Sequence, residues 1–414
     1  MSEVLFSKRT STLSSGFVGA IICWFFGISL AAFAVLIALD GDLIARGAGL
    51  AVLLTGASIC GLARSAGAAW KLRLAALLLG GTMLLLAGEV ALRNTMNYPT
   101  PVAPRFVPHS ELGFVLAPDS NGVDADGFRN SAIPAQVDVV AIGDHQTAAM
   151  SLAMEQTWPA VFAKSTSQSV YNLAVPGYGP PQYQQLVKKA LKLKPRQIII
   201  GLNIGTDLSD ATKEIQTPGS IQASPENFYH KLIRISALGS LTHSTVQRAF
   251  QKPVARLQIS HSKNPISIPT QEIDGRISAA NLQNPQVQEA FNNTVSMLEA
   301  ASLQCRKEGA ALTVLIIPTA ESVCGQAVSA DTIPPALTEL LASETNVRQN
   351  MLTALNGKNV YTIDAFPEIT KAISVNEGVY NSNSPNQPTA AICETLANAL
   401  SQSGSAATNT TVTN

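Results

Sequence analysis

Val139-Val140-Ala141-Ile142-Gly143-Asp144-His145 and Gln197-Ile198-Ile199-Ile200-Gly201-Leu202-Asn203-Ile204-Gly205-Thr206-Asp207 decide the fold of this chain. Each is an uninterrupted apolar run that closes on Gly and Asp, as strands buried on both faces do at their carboxyl ends. Open parallel sheets build their sites at those ends. A histidine stands directly after the first run, where a hydrolytic site would carry its nucleophile.

Further strand and helix patterns alternate around these two. Val170 to Ala174 reads as a strand that ends in Val175-Pro176-Gly177-Tyr178-Gly179-Pro180-Pro181. Such a Gly- and Pro-rich loop can bring backbone N–H groups to a ligand. Trp158 to Phe162 and Gln182 to Leu193 read as helices, the second with Leu186, Val187, Ala190 and Leu191 on one face. A helix over Gln286–Gly309, strands over Ala311–Ile317 and Val360–Ile363, and a helix over Thr389–Leu400 complete the pattern. Strands that alternate with helices predict an α/β fold, a parallel sheet covered on both faces. Asp126-Gly127-Phe128-Arg129-Asn130 predicts a tight turn that delivers an aromatic to the core. Residues 212–284 lose periodicity and read as an insertion, whose His230, His243 and His261 are expected at the surface. The small polar residues 401–414 predict a disordered tail.

The first 92 residues hold nearly all the long uncharged runs. Gly16 to Leu39 is uncharged for 24 residues, Gly47 to Ala63 for 17 and Leu74 to Gly88 for 15. A spanning helix needs about 20 apolar residues, so spans are expected near 16–39, 45–63 and 72–92, with a buried soluble hairpin as the alternative for the last two. Glu89 falls in the last turn, where it can reach headgroups or pair with Arg93. Lys8 and Arg9 precede the first run, and Arg64, Lys71 and Arg73 lie between the second and third. The intervening loop carries Asp40 and Asp42 against Arg46. The positive-inside rule then places the amino terminus in the cytoplasm and everything after Arg93 outside, in the periplasm of a diderm bacterium. The expected division is an anchor over 1–93, a Pro-rich linker over 94–110 and an outer domain over 111–400.

Lys plus Arg and Asp plus Glu both number 28. Zero net charge argues against nucleic acid as the main partner. The five cysteines fit no metal spacing, and no cofactor motif is present. Cys305 and Cys324 flank one strand, so a disulfide is conceivable outside the cytoplasm.

Taken together, the segments of residues 111–400 resemble the SGNH (GDSL-like) hydrolase superfamily, in its membrane-anchored bacterial form with a flavodoxin-like parallel sheet. Gly143-Asp144-His145 matches the Gly-Asp-Ser motif with His145 in place of the nucleophile. Gly177 corresponds to the oxyanion glycine. Gly205-Thr206-Asp207 matches Gly-Asn-Asp with Thr206 in place of the oxyanion asparagine. Ser382 and Ser384, ahead of Asn386, fall where the family supplies its Asp and His. The resemblance therefore implies a residual site of Asp144, His145, Gly177, Thr206 and Asp207 that lacks the acyl-transfer machinery. Nucleophilic or general-base chemistry by His145 would need an orienting carboxylate and an oxyanion hole.

Three functions follow as expectations. One is a catalytically inactive scaffold or accessory subunit of a membrane complex, whose Gly- and Ala-rich spans (Gly47, Gly49, Ala51, Gly56, Ala57) allow close helix approach to partner subunits. The second is an esterase or O-acetyltransferase acting on an extracytoplasmic glycan. The third is a glycan-binding module with a cleft lined by Trp158, Tyr178 and Tyr183.

Overall fold

The computed structural model describes residues 15–38, 43–95, 106–211 apart from 119 and 121, six residues between 236 and 245, and 255–409 apart from 330, 332 and 383. The chain divides into two compact units. One comprises Met1–Val102 with Ser224–Gln251, the other Ala103–Ala223 with Lys252–Asn414.

The first unit is helical: α1 Ser15–Ala38, α2 Leu43–Ser65 and α3 Ala68–Thr95. Over Ala68–Leu92, α3 is long and apolar enough to cross a membrane, with a mean hydropathy of 1.9. Among the described residues, the other two helices offer only the shorter apolar stretches Gly16–Ala31 and Val52–Ser65. Glycines set the approach of α1 to α2. A Cβ on Gly56 would lie 2.7 Å from the Gly27 carbonyl oxygen, and one on Gly27 would lie 2.3 Å from Cys60 Sγ. Large apolar side chains, among them Phe25, Leu54, Leu77, Met83 and Leu84, face outward. The Glu89 carboxylate accepts from Ser236 Oγ and the Leu238 N–H, both at 2.9 Å.

The second unit is built on one parallel sheet. Its strands are β3 Val139–Gly143, β4 Val170–Asn172, β5 Gln197–Asn203, β8 Ala311–Ile317 and β9 Tyr361–Asp364, in spatial order β4-β3-β5-β8-β9. Counted along the chain, that is the order 2-1-3-4-5 of flavodoxin-like sheets, which reverses direction between β3 and β5. Strand alternation sends residues to two separate cores. Val140, Ile142, Ile198 and Ile200 pack under α6 Pro180–Leu191, α9 Pro285–Lys307 and α11 Pro335–Gly357. Val139, Ala141, Ile199 and Leu315 pack under α5 Trp158–Thr166, α10 Ala320–Gln326, α12 Phe366–Val375 and α13 Ala390–Asn409. Full coverage of both faces is what strands without a polar period require.

Several expectations are corrected. Cys305 lies in the first core and Cys324 in the second, on opposite faces of the sheet, and both are free thiols. The end of the Pro-rich stretch forms β1 Phe106–His109, antiparallel to β2 Gly113–Leu116. The insertion carries a hairpin of β6 Arg256–Ile259 and β7 Ile266–Pro269, followed by α8 Thr270–Ala279, and all three belong to the sheet unit. His261 is buried in the turn of that hairpin, where Nδ1 accepts from the Lys263 and Asn264 N–H groups; His230 and His243 lie outside the described residues. Helix α13 runs to Asn409 through much of the tail expected to be disordered, and Ser401 Oγ meets Ser165 Oγ at 3.2 Å. Residues 410–414 lie outside the described residues.

Candidate functional site

The sheet's reversal places the ends of β3 and β5 side by side, and the residual site assembles there. Gly143 is required by space: a Cβ on it would sit 2.2 Å from Thr147 Oγ1. The chain can therefore turn tightly into the short helix α4, His145–Ala148, which Asp144 caps through the Gln146 N–H at 2.8 Å. Trp158 Nε1 donates to Thr147 Oγ1 at 3.3 Å and fixes the far side of the turn.

Asp144 is 1% exposed and is the hub of the site. Besides its cap bond, Oδ2 accepts from Asn203 Nδ2 at 2.9 Å and Thr206 Oγ1 at 3.1 Å, and it lies 2.7 Å from His145 Nδ1. Because the carboxylate can only accept, Nδ1 carries a proton. Burial pushes Asp144 up, but the His145 charge and the bonds from His145, Asn203 and Gln146 outweigh it, leaving the carboxyl below its ordinary range. His145 is the mirror case. Burial pulls it down, while the Asp144 charge, the bond to Asp144 and the Asn386 backbone hold it above its ordinary value. The Asn386 carbonyl also accepts from Gln146 Nε2 at 2.6 Å. The His145 ring therefore sits among acceptors, and with Gln146 it ties the first strand's turn to the segment near Asn386.

Asp207 stands one step behind, at the start of α7 Asp207–Ala211. Its Oδ2 accepts from the Asn203 N–H at 2.9 Å and Tyr183 Oη at 3.1 Å, while Oδ1 is buried without a partner. Burial and the nearby Asp144 charge raise it well above the carboxylate range. Asp144 is thus lowered and Asp207 raised, two carboxyls whose environments have driven them apart.

The remaining sequence candidates separate. Gly177 adopts φ +86° in an exposed turn closed by Tyr178 N–H to the Val175 carbonyl at 3.2 Å, and the start of its loop is tied to the end of β3 by the Val175 N–H to the Gly143 carbonyl at 3.3 Å. The Ser382 carbonyl accepts from the Ser267 N–H, and the Ser384 N–H donates to Asn381. Among the described residues, no hydrogen bond joins either serine to His145. Their segment meets it through the Asn386 carbonyl. Trp158, Tyr178 and Tyr183 are completely buried, which overturns them as the lining of an open glycan cleft. Their rings are core.

Sequence reasoning passed over Asn203, Gln146 and Arg129. Asn203 was detectable as a polar residue closing an apolar strand. Arg129 donates to the carbonyls of Ala148, Ala149 and Leu152, which holds the end of α4 where Ala149 turns left-handed at φ 44°. Its neighbour Asn130 pairs with the Asn172 backbone in both directions, and Phe128 is fully buried in the core, as the turn motif predicted. Among the described residues, no group of three His, Cys, Asp or Glu side chains could hold a metal ion.

No protein-family profile and no curated protein matches the chain. Among solved structures it is similar to a G-D-S-L family protein from Desulfitobacterium hafniense DCB-2, with 14% identity, 64% of this chain and 97% of that one covered, and a TM-score of 0.35. A GDSL-like lipase from Bacteroides thetaiotaomicron VPI-5482 shares 13% identity over 65% of this chain and 88% of its own, with a TM-score of 0.32. A carbohydrate esterase family 2 enzyme with a carbohydrate binding domain, from Corynascus thermopiles, shares 14% identity over 69% and 70%, with a TM-score of 0.34.

Proposed function

We propose that this protein is a membrane-anchored, SGNH-hydrolase-like pseudoenzyme that serves as a scaffold or accessory subunit of a larger membrane complex. One observation carries the reading: where the resemblance puts a nucleophilic serine stands His145, its Nδ1 2.7 Å from Asp144 Oδ2 and its pKa held above the ordinary histidine value by that carboxylate and the Asn386 backbone. A general base must offer a free nitrogen to a nucleophile's proton. Here Asp144 orients the ring through Nδ1 and Nε2 lies 3.5 Å from Gln146 Nε2, but among the described residues no Ser, Thr or Cys side chain is hydrogen-bonded to the ring. The cluster is suited to holding two segments together rather than to acyl transfer.

In this reading α1, α2 and α3 cross the inner membrane, the amino terminus is cytoplasmic and the sheet unit is periplasmic. The Gly27–Gly56 crossing and the outward apolar side chains support burial of the helical unit in lipid or against partner subunits. Glycans are the ligand class that the alternative readings offer the outer unit.

The test is purification of the full chain in mild detergent, with an acetyl-ester assay on the same sample. A defined set of co-purifying membrane subunits without ester turnover is the expected result. Turnover abolished by His145→Ala, with no partner present, would overturn the proposal and make the protein an enzyme with a rebuilt site.

A further inference from the structure

Acids and bases are equal in number over the chain, yet they are not spread evenly over the sheet unit. In a parallel sheet every strand begins at the same end, and the connecting helices return there to finish. The amino end of this sheet therefore collects the last turns of α5, α6, α9 and α11 and the residues that follow them. Backbone bonds fix the row. The Arg196 N–H donates to the Asp138 carbonyl at 2.9 Å, and the Ala311 N–H to the Arg196 carbonyl at 2.8 Å. Arg306 Nη1, at the end of α9, donates to the Asn359 carbonyl at 3.3 Å, beside Lys358.

Lys192, Lys194, Arg196, Arg306, Lys307 and Lys358 stand exposed along this rim, and Lys164 in the last turn of α5 continues it. Three acids oppose them. Asp138 lies 3.8 Å from Arg196 Nε, Glu299 lies 3.1 Å from Lys358 Nζ, and Glu308 is exposed. Among the described residues, no ion pair holds Lys164, Lys192, Lys194, Arg306 or Lys307.

Helix dipoles account for part of the pattern, since cations stabilise the last turn of a helix. They do not account for Lys194 and Arg196, which follow α6 on either side of Pro195. Lys194 moreover holds a left-handed backbone, φ 50°, where the turns after α9 and α11 use Gly309 and Asn359. Gly and Asn are the residues that this conformation favours. The turn itself does not call for a lysine.

The partner's chemistry follows from the layout. The cations sit on neighbouring strand ends about 4.8 Å apart, a spread row rather than a converging set. They fit a field of anions better than a single anionic molecule. Four of the six are lysines, point charges without the planar fork that arginine offers to one carboxylate or phosphate. A bilayer is the anionic field within reach. Helix α3 is long and apolar enough to cross one, and the ten residues between Thr95 and Phe106 extend to about 35 Å at most.

We propose that this rim is an electrostatic contact surface for anionic lipid headgroups, which turns the carboxyl end of the sheet, with Asp144 and His145, away from the lipid. The inference rests on the membrane-anchored reading but not on whether the Asp144–His145 pair is catalytic.

The test uses the full chain reconstituted in vesicles of phosphatidylcholine, alone or mixed with phosphatidylglycerol, with a headgroup-nitroxide lipid as quencher. Asn356→Cys places a fluorophore on the rim and Gln387→Cys places one at the opposite end of the sheet. Both positions are exposed, and a Cys60→Ala background leaves only buried native thiols. The Asn356 probe should be quenched in the mixed vesicles, and little in phosphatidylcholine or at about 1 M salt, where the Debye length falls to about 3 Å. The Gln387 probe should stay unquenched. Lys192→Glu with Lys194→Glu, and separately Lys164→Glu with Lys307→Glu, should each cut the quenching at least about fivefold, with the thermal midpoint unchanged. Equal quenching in both vesicle types, equal quenching at both ends, or indifference to both variants would overturn the inference. An alkaline carbonate wash separates it from the reading it rests on. A chain that stays in the vesicles with its rim probe unquenched overturns the lipid contact alone. A chain stripped by the wash overturns the anchor and the contact together.

Discussion

At the scale of single residues, the contrast between Asp144 and Asp207 is the most informative feature of the site. Asp144 satisfies three donors and pairs with His145, so Asp144→Ala leaves Asn203 and Thr206 unmatched in the interior and removes the α4 cap. A loss of about 2–4 kcal/mol is expected, measured as the fall in denaturation midpoint of the detergent-solubilised protein. Burial holds Asp207 well above the carboxylate range and favours its neutral form, so Asp207→Asn should change stability at pH 7 by less than about 1 kcal/mol. The pair also predicts a pH window. His145 is raised on folding, so its contribution is complete below the unfolded histidine value and fades as pH climbs through the folded one. Asp144 is lowered, so its contribution is complete above the unfolded carboxylate value and fades as pH falls through the folded one. Their joint stabilisation is greatest between about pH 4 and 6.5. Ring titration of the histidines by NMR, with His145→Ala for assignment, should show a midpoint above the ordinary one. An unshifted or lowered midpoint would remove the imidazolium from the account.

Elements carry different predictions, because they depend on surfaces rather than atoms. Helices α1 and α2 meet where neither can carry a side chain, so Gly56→Leu must push them apart. The expected cost is about 1–3 kcal/mol, seen as a lower thermal midpoint of the full chain, whereas Gly61→Leu, at a position with open space around it, should be neutral. Helix α5 is pinned to the sheet by Trp158, which is entirely buried and donates to Thr147. Trp158→Ala should cost about 3–5 kcal/mol. Addition of glycans should leave Trp158 fluorescence unchanged, which a cleft-lining ring would not allow.

On the scale of the whole molecule, the sidedness of the two units is the testable question. Ile133 is 42% exposed in the sheet unit, while Cys305, Cys324 and Cys393 are buried. Ile133→Cys should therefore react with a membrane-impermeant maleimide added to spheroplasts, and the native thiols of that unit should not. Labelling that requires lysis would place the sheet unit in the cytoplasm and overturn the proposed orientation.

Much of this molecule was written in local pattern. The buried strands over 139–143, 197–203 and 311–317 were legible because both faces of a central parallel strand are covered, so the strand needs an apolar run and no alternation. The degenerate motif positions were legible because the Gly-Asp and Thr-Asp pairs sit at strand ends, where the sheet's geometry fixes their surroundings. What sequence missed has one physical origin: burial and partnership are properties of distant segments meeting. Nothing local distinguishes Tyr178 in a cleft from Tyr178 in a core, since both want an aromatic beside a glycine loop. Cys305 and Cys324 are close in the chain, yet a strand's two faces separate them. His261 looked like a surface residue because its two donors are backbone groups, which carry no letter in the sequence. Local chemistry determined which strands and which altered motif this chain has. Only tertiary packing decided that Asp144 and Asn386 raise His145 above its ordinary value and that burial raises Asp207 while Asp144 is lowered.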